Sequence, residues 1–189
     1  MLDRLVKTPG IVLAFLWGFA EGTLFFIVPD VLLSLAALLA PRRAWRHVVA
    51  AVAGALLAGA LMYTFSTHSP GAAYTTVAHV PFVTPRMFDH VLAGYHNNPV
   101  AALCLGPLSG VPYKIYAVLA PGFLSLSTFL LASIPARGER FLLVWGIFSL
   151  LGMALRRGGI TASKTLAIIH AAFWLIFYGF YWTLISIHR

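Results

Sequence analysis

Residues 166–187 run for the length of a membrane span without one Asp, Glu, Lys or Arg. A helix needs roughly 20 mostly apolar residues to cross a bilayer. Two further stretches read the same way: 45–65, and 141–155 with its apolar flanks, taken together as 139–156. The last span, 166–187, is rich in Trp and Tyr, as a helix near a headgroup belt often is. Only 10% of the residues are charged, against roughly 25% in an average globular chain. Thirteen Lys/Arg and five Asp/Glu cannot cover the wet surface that 189 residues would present, whereas a lipid-facing surface needs no charge. The sequence therefore predicts an all-α, polytopic integral membrane protein with roughly five hydrophobic segments. It leaves too little polar surface for a separate catalytic domain.

The formal net charge of +8 comes mostly from bases at the ends of apolar runs. That placement is topology signal: basic flanks hold loops on the cytoplasmic side and meet anionic headgroups. Nucleic-acid binding ranks well below this reading. The single cysteine, Cys104, excludes an internal disulfide and sits among apolar residues as a small packing group. The first apolar stretch contains Glu21 and lacks a small-residue cleavage site, so it is expected to be a retained segment.

Two apolar regions are too long for one ordinary span and are interrupted. Residues 10–40 carry Glu21, Pro29 and Asp30; residues 99–135 carry Gly106, Pro107, Gly110, Pro112, Lys114, Pro121 and Gly122. Proline removes a backbone donor and clashes with the preceding turn, so helices break at such clusters. Backbone groups freed at membrane depth must be buried in protein or face a wet cavity. Helical hairpins that enter and return on one side fit both regions, and paired interrupted segments point to a transporter-type binding site. A re-entrant first region puts Arg4 and Lys7 on the same side as Arg42, Arg43 and Arg46, as the positive-inside rule prefers. For the second region the count of bases is the same either way, and its orientation stays open.

Residues 66–98, between these regions, read as a polar loop with a short interfacial helix at 86–95. Its four histidines, His68, His79, His90 and His96, lack the i,i+4 spacing with a carboxylate that marks a metal site. No metal or other cofactor is expected.

Glu21 and Asp30 are the leading candidate residues, because a carboxylate inside an apolar run must be neutral, paired or facing water. On one continuous helix their nine-residue separation turns through about 900°, which puts them on opposite faces. A break at Pro29 removes that constraint. The plainer alternatives are that Asp30 caps the second half-helix and that Glu21 makes one buried ion pair. Lys114, isolated among apolar residues, is the expected partner of the acids, unless it snorkels to the headgroups. Arg137 and Arg140 flank Glu139 and read as interfacial anchors with possible lipid-phosphate contacts. No nucleophile elbow, zincin motif or phosphate-cradling loop occurs, and Ser109 in PLSGVP is a weak signal, so no enzyme activity is expected.

The stretch FAEGTLFFIVPDVLLSLAAL, with Glu21, Pro29 and Asp30, resembles the opening signature of the DedA/VTT (SNARE-associated) family of bacterial membrane proteins. There, an acid in an apolar run precedes a Pro, a second acid and a Leu-rich helix. GPLSGVPYKIYAVLAPGFLSLSTFLLAS is similar to the family's second signature. Lys114, seven residues before Pro121, stands where the family commonly has an arginine, and Leu108 stands where it often has another. These departures resemble a divergent, YqaA-like branch. The two patches cover about 60 residues. The resemblance implies paired re-entrant hairpins in a bacterial inner membrane and movement of a lipid such as a polyprenyl phosphate, with protons as a possible partner in some members. Two readings follow: a transporter or scramblase-like protein moving a lipid headgroup, or a non-transporting scaffold in which the acids and Lys114 form structural pairs.

Overall fold

The computed structural model describes residues 2–106 and 109–187. The described residues are helical, with no strand: α1 (Leu2–Leu5), α2 (Thr8–Thr23), α3 (Asp30–Leu39), α4 (Trp45–His68), α5 (Pro70–Ala78), α6 (Pro85–Asn97), α7 (Pro99–Leu105), α8 (Tyr113–Leu119), α9 (Leu126–Arg157) and α10 (Ser163–Ile187). A 3-10 turn, Ala120–Gly122, joins α8 to the approach of α9. Among the described residues three helices are long and apolar enough to cross a membrane: Trp45–His68, Leu126–Arg157 and, within α10, Ser163–Tyr181. By length and composition the chain is an integral membrane protein.

Small residues bring α2 against α4. Ala14, Gly18 and Gly22, spaced by four, face Ala51, Gly54, Ala55 and Ala58. A Cβ on Gly18 would run into the Ala51 carbonyl, and one on Gly54 into that of Phe15. The backbones therefore meet closely, the way helices gain dispersion contact where lipid gives no hydrophobic drive. Gly152 does the same for α9 against Leu38 of α3. Arg156 of α9 then donates to the Leu39 carbonyl at the end of α3 (2.7 Å), and Trp145 donates to that of Pro41 (3.1 Å).

The first break is real and its backbone is satisfied from protein. Residues 24–29 are non-helical. Trp17 Nε1 donates to the Ile27 carbonyl (3.0 Å), Lys114 Nζ to that of Phe25 (2.9 Å), and the Val28 amide donates to Tyr178 Oη (3.3 Å). Three elements thus supply partners that lipid could not. The second break is handled alike: Ser66 Oγ donates to the Val118 carbonyl (2.6 Å) and Tyr63 Oη to that of Leu124 (2.7 Å). At roughly 1.5 Å per residue, α2, α3, α7 and α8 are each shorter than the roughly 30 Å hydrocarbon core.

Several boundaries differ from the sequence expectation. Residues 66–98 hold two helices and not one: α6 falls where a short helix is expected at 86–95, whereas α5 replaces expected loop, and each is opened by a proline at its start, where the missing N–H has no intrahelical partner anyway. His68, His79 and His96 each bond the carbonyl four residues back with Nδ1, closing the last turn of a helix. The second interrupted region ends near Ser125, not at Pro135. Ser125 caps α9 by accepting from the Thr128 amide (3.2 Å), and the helix continues through Pro135 to Arg157. The spanning helix therefore starts at Leu126, not at 139. Among the expected breaks, Gly106 caps α7, Pro112 precedes α8, and Pro121 and Gly122 form the 3-10 turn. Pro107 and Leu108 lie outside the described residues.

Candidate functional site

Continuation of α9 through Pro135 decides where its charges go. Arg137 and Arg140, three residues apart, share one face of the helix, and that face meets α2 and α3. Glu139 points the other way and is exposed. Arg137 donates to Glu21 Oε2 at 2.5 Å, with the two side chains 2% and 4% exposed. Its guanidinium also lies 5.1 Å from the Tyr113 ring centroid and 4.7 Å from that of Phe141. This pair is sealed, and Arg137 Nε is left without a hydrogen-bond partner.

The second pair is open. Arg140 Nε and one terminal nitrogen both reach Asp30 Oδ2, the former at 2.9 Å, while the Arg140 side chain stays 26% exposed. Asp30 is the first residue of α3, and its side chain makes no capping bond: Oδ2 accepts from Arg140 and Oδ1 has no partner. Its charge still suits the positive end of that helix.

These placements correct the expected pairing. Lys114 was the anticipated partner of the acids, but its ammonium bonds the Phe25 carbonyl and is 1% exposed, so it neither pairs directly with Glu21 or Asp30 nor snorkels to the surface. Arg137 and Arg140 are not interfacial anchors: the acids of α2 and α3 draw both guanidinium groups inward. Ser109 is held locally by the Gly106 carbonyl (2.7 Å). Among the described residues no group of three or more His, Cys, Asp or Glu could hold a metal.

A cavity of ≈ 290 Å³ joins these parts. Its lining includes Glu21, Asp30, Lys114 and Arg140, together with Trp174, Phe177, Tyr178 and Tyr181 from one face of α10. The segment between α5 and α6 contributes Phe82, whose φ of +67° is a left-handed conformation that a phenylalanine rarely adopts. The cavity is therefore amphiphilic, with a charged floor and an aromatic wall. The four α10 residues fall at i, i+3, i+4 and i+7, the spacing of one helix face, and this signal was present in the sequence.

A second polar cluster fixes α10 in place. Ser34 Oγ lies 2.8 Å from His170 Nε2, accepts from Trp174 Nε1 at 3.0 Å, and is buried.

Fold and site together define an all-helical membrane protein with a charged internal cavity. Comparison with models of protein families, with curated proteins and with solved structures returned no match.

Proposed function

We propose that this chain is a transporter or scramblase-like protein that moves the anionic head of a membrane lipid across the bilayer through the cavity. The observation that carries this reading is the pairing of a charged floor with an aromatic wall in one space. A polar head needs the first and the start of an acyl or prenyl chain tolerates the second. Glu21 with Arg137, and Asp30 with Arg140, form neutral pairs, so ionised Lys114 leaves the floor one positive charge in excess. An anion is what such a site attracts. Asp30 and Glu21 position the head or exchange protons with it, and Lys114 and Arg140 neutralise its phosphate.

On this reading the two interrupted regions are re-entrant hairpins, and the membrane is a bacterial inner membrane. Support comes from the short helices around each break and from the resemblance of the two patches to the DedA/VTT family, of which the chain would be a divergent member. A polyprenyl phosphate, a phosphate monoester, is one substrate of the proposed class when its head is singly charged.

The scaffold reading has one observation in its favour: the Glu21–Arg137 pair is buried, with the Arg137 guanidinium packed near the Tyr113 and Phe141 rings. Leaflet exchange of a fluorescent phosphatidylglycerol separates the two readings. Vesicles containing the purified protein should exchange the lipid faster than protein-free vesicles. Equal rates would contradict transport and leave the scaffold.

A further inference from the structure

The charge count of the cavity specifies more than the sign of its ligand. The titratable and charged groups around it are Glu21 from α2, Asp30 from α3, Lys114 from α8, Arg137 and Arg140 from α9, and Tyr178 and Tyr181 from α10; His170 of α10 instead faces Ser34. With both ion pairs closed, the tyrosines neutral and Lys114 protonated, the one uncompensated charge around the cavity among the described residues is that of Lys114. A head carrying one negative charge brings the site to neutrality. A head carrying two leaves a buried negative charge with no counter-ion, which is the costly arrangement in a low-dielectric space.

We infer that the cavity selects a monoanionic head, a phosphodiester, over the dianionic form of a phosphate monoester. Lys114 sets that preference and Asp30 prevents the site from accepting a second negative charge. The inference rests on the anion-transport reading above. Arg140 acts in both charge states, because its side chain is partly exposed to the cavity while Asp30 holds it through one oxygen only.

The test is binding to the purified full chain in neutral maltoside micelles, read by calorimetry. Dihexanoyl phosphatidylglycerol, a diester, keeps one charge throughout. Dihexanoyl phosphatidic acid, with the same tails, gains its second charge near neutrality, as a phosphate monoester ionises with a second pKa of about 6. Ionisation of the protein's own groups acts on both lipids alike, so the reading is their ratio: from roughly pH 5 to roughly pH 8.5 phosphatidic acid should lose about tenfold or more relative to phosphatidylglycerol, the equivalent of roughly 1.4 kcal/mol.

Asp30→Asn, which adds one positive charge, should reverse this preference; Lys114→Met should weaken both lipids about tenfold. Phosphatidic acid that keeps its affinity relative to phosphatidylglycerol at high pH would overturn the inference. So would an Asp30→Asn protein that melts like the parent and keeps the parent's preference. If that variant does not fold, the parent's pH comparison and Lys114→Met still decide. Failure of both lipids to bind the parent would instead overturn the transport reading itself. Diethyl phosphate, which lacks tails, should bind far more weakly; equal affinity would assign the site to a soluble anion and overturn the lipid assignment.

Discussion

Arg140 aims two donors at the same oxygen of Asp30, Oδ2, and leaves Oδ1 buried with no hydrogen-bond partner. A fork-to-fork pair would use both oxygens. The two side chains, 110 positions apart in sequence, close here into a contact that fixes α3 on α9 yet keeps the guanidinium within reach of the cavity. The neighbouring pair, Glu21 with Arg137, is more deeply buried: Glu21 borders the cavity, but Arg137 stands behind it, and the two side chains are only 4% and 2% exposed. The two ion pairs therefore divide the work, one holding the helices together and one facing the ligand space.

The sealed pair should behave as a structural one. Removing one partner of a buried pair strands the other and costs about 3–5 kcal/mol, whereas replacing both with apolar groups is often neutral. Glu21→Leu and Arg137→Leu should each lower the melting temperature in detergent sharply, and the double variant should recover most of the loss. A double variant as unstable as the worse single one would show that the pair does more than balance charge.

The α2–α4 contact should be intolerant of a single methyl group. In Gly18→Ala the new carbon meets the Ala51 carbonyl, a backbone group that cannot step aside as a flexible side chain can. Overpacking of this kind typically costs about 1–3 kcal/mol. Gly146→Ala on α9, where a Cβ meets nothing within 4 Å, is the matched control and should leave thermal stability unchanged or slightly raised.

The tether of α10 should depend on Ser34. In Ser34→Ala, Trp174 loses the acceptor of its indole N–H and His170 loses a buried partner. A buried polar group left unsatisfied costs about 1–3 kcal/mol. Because α10 forms the aromatic wall of the cavity, hydrogen exchange in α10 should rise more than in α4. Equal change in both helices would mean that Ser34 stabilises the bundle in general and not this wall.

Much of this fold could be read before the structure. Charge-poor runs marked the spanning helices, and the conflict between Pro29 and a long apolar stretch marked the first break. The acids were found by the cost of a carboxylate in such a run. Their partners were not. Lys114 stood out because it is isolated in sequence, but isolation says nothing about what it meets across the fold, which is a carbonyl. Pro135 suggested a boundary, and so hid the fact that Arg137 and Arg140 lie on one face of a continuous helix. The broken pattern of 66–98 showed α6 but concealed α5, because Pro70 sits at the helix start, where a missing N–H costs nothing.

The most direct test is leaflet exchange of a labelled phosphatidylglycerol by Lys114→Met and Arg140→Gln proteins, each reconstituted beside the parent after a melting curve has confirmed folding. Both substitutions remove a cation from the cavity floor, and both should reduce exchange at least tenfold, the equivalent of about 1.4 kcal/mol in the rate-limiting step. Two folded variants that exchange the lipid at the parent's rate would contradict the claim that the headgroup passes through this cavity.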